Sequence, residues 1–166
     1  MVILKRLILL VMLIPAISNG EERQNHSMSN MHSGINSLSP DLRNLLSEEM
    51  RQLERGMTEI FPLYISGDWA AIEPIASKIE NSYVLKQNLS EEQVHELHSK
   101  LPAGFIELDQ RFHYLAGMLE HAAKMEKPEL IGFYYSKMGE TCVSCHRQHA
   151  KKRFPKLAPK PNAHDH

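Results

Sequence analysis

The chain has 166 residues, of which 42% are hydrophobic and 23% are charged. This composition excludes collagen-like, low-complexity and wholly disordered chains. The formal net charge of -1 gives no reason to expect nucleic acid as a partner. The two cysteines are too few for a disulfide-rich scaffold or a four-thiolate metal site, so they predict one disulfide, a redox pair or covalent attachment of a cofactor.

Residues 1–20 have the pattern of a signal peptide. Lys5 and Arg6 precede a nearly unbroken apolar run from Leu7 to Ile17, and small residues follow at a spacing that suits cleavage. The apolar run is too short for a bilayer span, which needs roughly 20 residues. The sequence therefore predicts export to the periplasm, with no stable membrane insertion after cleavage.

Residues 21–38 are polar and aperiodic, which predicts a linker before the fold. Ser39 and Pro40 then supply an N-cap and a first-turn proline for the first helix. Gly67 and Asp68 end that helix and cap the next one. The side chains predicted to face the core of the first helix recur at steps of three and four: Leu42, Leu46, Met50, Leu53, Met57, Ile60 and Tyr64.

Three further helical segments follow the first helix. The second begins after Asp68, and a long crossover between Val84 and Pro102 contains a short helix opened by a capping box at Ser90. The third helix has the clearest stripe, namely Phe105, Leu108, Phe112, Leu115, Leu119 and Ala122. The fourth opens at Lys127-Pro128 and is predicted to end near Pro155, with the stripe Leu130, Tyr134, Met138, Cys142 and Cys145.

The fold class predicted from these patterns is all-α, because no segment alternates like a strand. Four amphipathic helices bury their stripes most simply in an antiparallel four-helix bundle, here with a long crossover between the second and third helices. The bundle is predicted to span residues 39–155. A tail rich in Pro, Lys and His follows at residues 156–166.

The motif that carries chemistry is Cys142-Val143-Ser144-Cys145-His146. C-x-x-C-H is the attachment signature of c-type haem: the two thiols bond the vinyl-derived carbons of the porphyrin, and the adjacent imidazole becomes an axial ligand of the iron. The sequence therefore predicts one covalently attached haem c. Cys142 and Cys145 would be its anchors and His146 its proximal ligand.

Two other interpretations of the cysteines stay open at this point. A thioredoxin-like C-x-x-C should follow a strand and begin a helix, whereas this motif lies about four turns into a helical pattern. A zinc site built from Cys142, Cys145 and His149 has no second pair of ligands at zinc-finger spacing. The export signal favours the haem interpretation, because c-type haem is attached outside the bacterial cytoplasm.

The four helices, the Met on the first helix and the C-x-x-C-H near the end of the last helix together resemble class II c-type cytochromes, the cytochrome c-prime and cytochrome c-556 group. The resemblance implies a left-handed bundle in the periplasm with one haem near its end, and it leaves a homodimer open. The family usually has an aromatic residue three positions after the axial His, followed by a basic residue. Here those positions hold His149 and Ala150. The basic residues closest to them, which can supply the positive charge that Ala150 lacks, are Lys151 and Lys152.

The sixth iron ligand decides what such a protein does. In the six-coordinate branch of the family the ligand is a Met of the first helix, and Met50 resembles it by position. The alternative is that Met50, like Met57, only fills the core. His95, His98, His113 and His121 are predicted to be surface residues rather than ligands.

The leading functional expectation is a single-electron carrier, not an enzyme. The alternative is a five-coordinate haem protein that binds nitric oxide or carbon monoxide. Residues 147–166 contain six basic residues and one acid, and a positive collar beside the haem would suit an acidic redox partner.

Overall fold

A computed structural model describes residues 34–82, 85 and 89–157 of the chain. The predicted signal peptide and most of the predicted linker lie outside the described residues, as do Tyr83 and residues 158–166 of the tail. The described residues contain helices and turns but no strand. The prediction of an all-α fold is confirmed.

Five α-helices make up the described structure: α1 (Pro40–Ser66), α2 (Trp69–Glu80), α3 (Glu91–Lys100), α4 (Ala103–Lys124) and α5 (Pro128–His149). Single 3-10 turns occur at Ile35–Ser37 and Pro155–Leu157. α5 ends at His149, six residues before the predicted end near Pro155. Packed structure also extends into the predicted linker, where Leu38 is buried and the Gly34 N–H donates to the Lys100 carbonyl at 2.7 Å.

Local signals in the sequence account for most helix boundaries. Gly67 adopts the left-handed conformation that ends α1, with φ at 74°. The Asp68 carboxylate accepts from the Ala71 N–H at 3.1 Å and caps α2. Ser90 and Gln93 form the predicted reciprocal capping box at the start of α3. Ser39 differs, because its side chain makes no cap hydrogen bond and its N–H donates to Glu96 Oε1 at 2.7 Å.

Neighbouring long helices run antiparallel. α2 packs extensively against α4, and α4 packs extensively against α5. On α2, Glu73 pairs with Lys124 at the end of α4, whereas the Ile79 carbonyl lies 2.5 Å from Nδ1 of His113, three turns earlier on α4. α1 and α5 touch less, and one of their contacts is the hydrogen bond that Tyr135 Oη donates to the Met57 carbonyl at 3.0 Å.

The apolar interior is divided into two clusters. The main cluster joins α1, α2, α4 and α5 and contains Leu53, Ile60, Ile72, Ala76, Ile79, Phe112, Leu115, Ala116, Leu119, Ala122, Ala123, Ile131 and Met138. The second cluster lies at the other end of α1 and α4 and contains Leu38, Leu42, Leu46, Leu101 and Phe105. The predicted stripe of α4 is therefore buried except for Leu108, which is half-buried.

Two predicted stripes are confirmed only in part, since Leu42, Leu46, Leu53 and Ile60 of α1 and Met138 of α5 are buried. On α1 the buried positions include Glu49 and Gly56 rather than Met50 and Met57. On α5 Ile131 is buried and Leu130 is exposed. Neighbouring helices decide which of two adjacent positions points inward, because successive residues are separated by only 100° around the axis.

We expect Ile72→Ala to lower the free energy of unfolding by about 2–5 kcal/mol, because Ile72 is fully buried and its truncation leaves a cavity. Ile65→Ala is the matched control, since Ile65 is 69% exposed, and should change the value by less than about 0.5 kcal/mol. Urea titration followed by circular dichroism measures both. Equal losses for the two variants would contradict the assigned core.

Candidate haem-attachment site

The three residues of the predicted attachment motif lie in the last two turns of α5. Cys145 lies three positions after Cys142 and His146 lies four positions after it, so the three residues share one face of the helix. Both cysteines are free and half-buried, and His146 is half-buried as well. The structure therefore presents two thiols and one imidazole together on a partly covered surface.

The break between the two apolar clusters lies at the level of these thiols. Cys142 packs against the main cluster, whereas Cys145 packs against the second cluster. On α1 the break falls between Leu46 and Leu53, and on α4 it falls between Phe105 and Phe112. Seven residues of helix correspond to about 10.5 Å, so a layer of that thickness has no buried apolar side chain from α1 or α4.

Space and polar groups occupy this layer. A Cβ added to Gly139, one turn before Cys142, would meet no atom within 4 Å. Glu49 of α1 is 1% exposed, and its Oε2 accepts from the Leu85 N–H of the crossover at 3.2 Å. The Asp109 carboxylate of α4 acts electrostatically on Cys145. Gly139 is therefore open on one side near the thiols, and two other helices contribute the acidic residues Glu49 and Asp109.

The electrostatics of the thiols oppose thiol redox chemistry. Burial raises the pKa of the Cys142 thiol. Burial, followed by the Asp109 carboxylate and by Cys142, raises the pKa of the Cys145 thiol to about 11. A redox-active C-x-x-C depends on a lowered thiol pKa, which a helix N-terminus provides. Here the motif lies at a helix C-terminus, where the dipole has the opposite sign.

The imidazole of His146 is held by the segment that follows α5. Its ring stacks on the Phe154 ring with centroids 4.1 Å apart and an interplanar angle of 9°. Burial, and then the positive charge of Arg153, lowers the pKa of His146. A metal competes with protons for the imidazole nitrogen, so the neutral form that persists at pH 7 is the form able to ligate iron.

Met50 does not lie on the buried face of α1 where the sequence placed it. It is 36% exposed and lies seven residues before Met57, whose backbone carbonyl accepts a hydrogen bond from Tyr135 of α5. Cys142 lies seven residues after Tyr135 on the antiparallel helix. From the Met57–Tyr135 contact, Met50 lies two turns toward the start of α1 and Cys142 lies two turns toward the end of α5. Because the two helices are antiparallel, Met50 and Cys142 lie at similar heights along them.

His149 occupies the position where the resembling family has an aromatic residue. It shares the face of α5 that carries the two cysteines, and its ring meets Phe105 edge-on with centroids 5.6 Å apart. Its Nε2 is buried and has no hydrogen-bond partner among the described residues. A buried polar atom of this kind is expected to bind a partner, and a cofactor that enters the layer can supply one.

The thiols, the open side of Gly139 and the unpaired His149 nitrogen fit a haem held by Cys142, Cys145 and His146. The zinc interpretation has no comparable support, because the described part of the chain contains no group of three or more His, Cys, Asp or Glu residues arranged around a metal ion.

The remaining histidines divide into two groups. His95, His98 and His121 are exposed, as predicted. The prediction for His113 was wrong: it is buried, with Nδ1 against the Ile79 carbonyl and Nε2 3.6 Å from Asp109 Oδ1. α2 covers this side of α4, which the stripe of α4 alone does not reveal.

Sequence reasoning missed Glu49 and the unpaired nitrogen of His149. Glu49 lies three residues after Leu46 and four before Leu53, a spacing that places an acid within a core stripe. That spacing was a usable signal. Nothing local signals that the Nε2 atom of His149 is buried, because the contact with its ring comes from Phe105 of another helix.

No helix in the described residues has the length and apolar character needed to cross a membrane. Comparison of the chain with known protein families matched none of them, and searches of curated proteins and of solved structures found no match either.

In protein made without attached haem, we expect Cys145 to react with iodoacetamide at pH 8 about a hundredfold more slowly than an unperturbed cysteine, because a pKa near 11 leaves little thiolate. Mass spectrometry of the Cys142→Ser variant measures this rate without interference from the second thiol. A short cysteine peptide is the reference. Alkylation at the peptide's rate would contradict the burial of Cys145 and favour a redox-active pair.

Proposed function

We propose that this chain is a monohaem c-type cytochrome of the periplasm that carries single electrons and is not an enzyme. The observation that supports it most is the coincidence of the C-x-x-C-H turn with the break between the two apolar clusters. The antiparallel contacts of α1, α2, α4 and α5 favour a four-helix bundle as the finer architecture, with α3 in the crossover between α2 and α4.

The residues of the chain have separate tasks in this proposal. Cys142 and Cys145, which pack against different apolar clusters, would hold the cofactor through two thioether bonds. His146 supplies the proximal nitrogen, and Phe154 restricts rotation of its ring through the stacked contact. When bound, haem supplies an iron centre that accepts and releases one electron.

The outer face of α5 suits a redox partner with acidic groups. Arg147, Lys151, Lys152 and Arg153 are exposed around the end of α5, close in the chain to the proximal ligand. Clustered positive charge speeds encounter with a negatively charged surface and makes the rate depend on ionic strength. We therefore propose an acidic redox protein as the partner.

A second candidate function rests on the position of Met50. Met50 is partly exposed on the flank of α1 rather than buried in the core. If its sulfur does not bind the iron, the iron would be five-coordinate. In that case the open coordination position would bind nitric oxide or carbon monoxide. Met50 would then line the site without binding the iron.

We expect the full chain, expressed in a bacterium with c-type maturation machinery, to gain the mass of one haem and to give a pyridine haemochrome spectrum. Cys142→Ser with Cys145→Ser should abolish covalent attachment, because both thioether bonds are lost. His121→Ala is the matched control at an exposed histidine and should attach haem normally. A wild-type protein that stays haem-free under these conditions would overturn the proposed function.

The absorption spectrum of the ferric protein separates the two candidate functions. If Met50 is the sixth ligand, the ferric iron is low-spin and has a weak methionine-to-iron charge-transfer band, which Met50→Ala removes. Met57→Ala, two turns away on the same flank, should keep the band. A high-spin spectrum that Met50→Ala leaves unchanged would contradict methionine ligation and support gas binding.

A further inference from the structure

The ring of His149 is held between α5 and the start of α4. It lies one turn after Cys145, with its edge against Phe105, and a Cβ at Gly104 would stand 3.9 Å from its Nε2. These contacts repeat the packing that a phenylalanine would have at position 149. Unlike phenylalanine, His149 also places a ring nitrogen at this interface.

That nitrogen has no partner within the described chain. Nε2 of His149 is buried and makes no hydrogen bond, although the apolar contacts fix where it lies. A buried ring nitrogen without a hydrogen-bond partner is unfavourable, because it loses its hydrogen bonds to water and gains none in return. A group that enters the site and hydrogen-bonds to Nε2 would remove this cost.

The charges around His149 favour an anionic acceptor. Burial lowers the pKa of His149, the backbone of Gly104 acts in the opposite direction, and the positive charge of Lys151, in the segment after α5, lowers the pKa as well. Arg147, Lys152 and Arg153 are exposed nearby in the chain. On α4 the acids that follow Phe105 are Glu107, which is exposed, and Asp109, whose carboxylate acts on Cys145. Positive charge therefore predominates at this end of α5.

We propose that Nε2 of His149 donates a hydrogen bond to a propionate carboxylate of the attached haem. The inference rests on the proposed function. The propionates are the peripheral groups of haem that carry acceptor oxygens and negative charge, so they match both the unpaired donor and the basic surroundings. His149 is then a cofactor-positioning residue that keeps an aromatic contact with Phe105 and adds a hydrogen bond.

The test compares the titration of His149 by two-dimensional ¹H–¹⁵N NMR in the haem-free chain and in the reduced, haem-loaded chain. In the haem-free chain the pKa of His149 should lie below the ordinary value for histidine, because burial disfavours the cation. In the loaded chain it should rise by at least one unit, because a carboxylate stabilises the cation. If haem attachment leaves the pKa of His149 unchanged, the proposal is overturned. Bridging by water alone would give that result.

A second measurement uses the midpoint potential. We expect the potential of the loaded wild-type protein to depend on pH across the His149 titration, and His149→Phe, which keeps the ring contact, to lose that dependence. His121→Phe is the matched control at an exposed site and should retain it. Retained pH dependence in His149→Phe would contradict the proposal while the proposed function stands. A wild-type protein without attached haem would overturn both.

Discussion

The interruption of the apolar core at the level of Cys142 and Cys145 is the constraint on which the rest of the site depends. Helices normally continue their apolar contact along the whole length of a shared interface, because interiors are close-packed. Here α1 and α4 have about two turns without a buried apolar side chain. Two thiols from α5 lie beside that layer, each against a different cluster. A large apolar cofactor anchored to those thiols would join the clusters into one interior.

The end of α5 combines features that favour ligation over thiol exchange. Burial keeps both thiols protonated and keeps His146 neutral, so the motif is a poor redox pair and its imidazole is available to a metal. The stack between His146 and Phe154 depends on the turn after α5, which brings residue 154 back against the helix. The basic residues of that turn lie on the exposed side, where they cover the helix C-terminus and suit its dipole.

Glu49 and His149 make the interior of the site more polar than its helical stripes suggest. Glu49 ties the crossover to α1 through the Leu85 N–H, and His149 brings an unpaired nitrogen to the α4–α5 interface. Buried polar groups constrain what can be accommodated beside them, because each needs a hydrogen-bond partner. Both groups therefore favour a ligand that has polar atoms at its edge.

The sequence alone determined the all-α class, most helix boundaries and the grouping of Cys142, Cys145 and His146 on one helical face, because caps and i, i+3, i+4 spacing act within a few residues. Only the tertiary structure decided that Glu49 rather than Met50 points inward and that His113 and the Nε2 atom of His149 are buried. Those outcomes depend on α2, α4 and the crossover, which approach from distant parts of the chain. Turning a helix about its axis by 100°, the angle between successive residues, changes which of two adjacent stripes is covered. Local periodicity does not fix that angle.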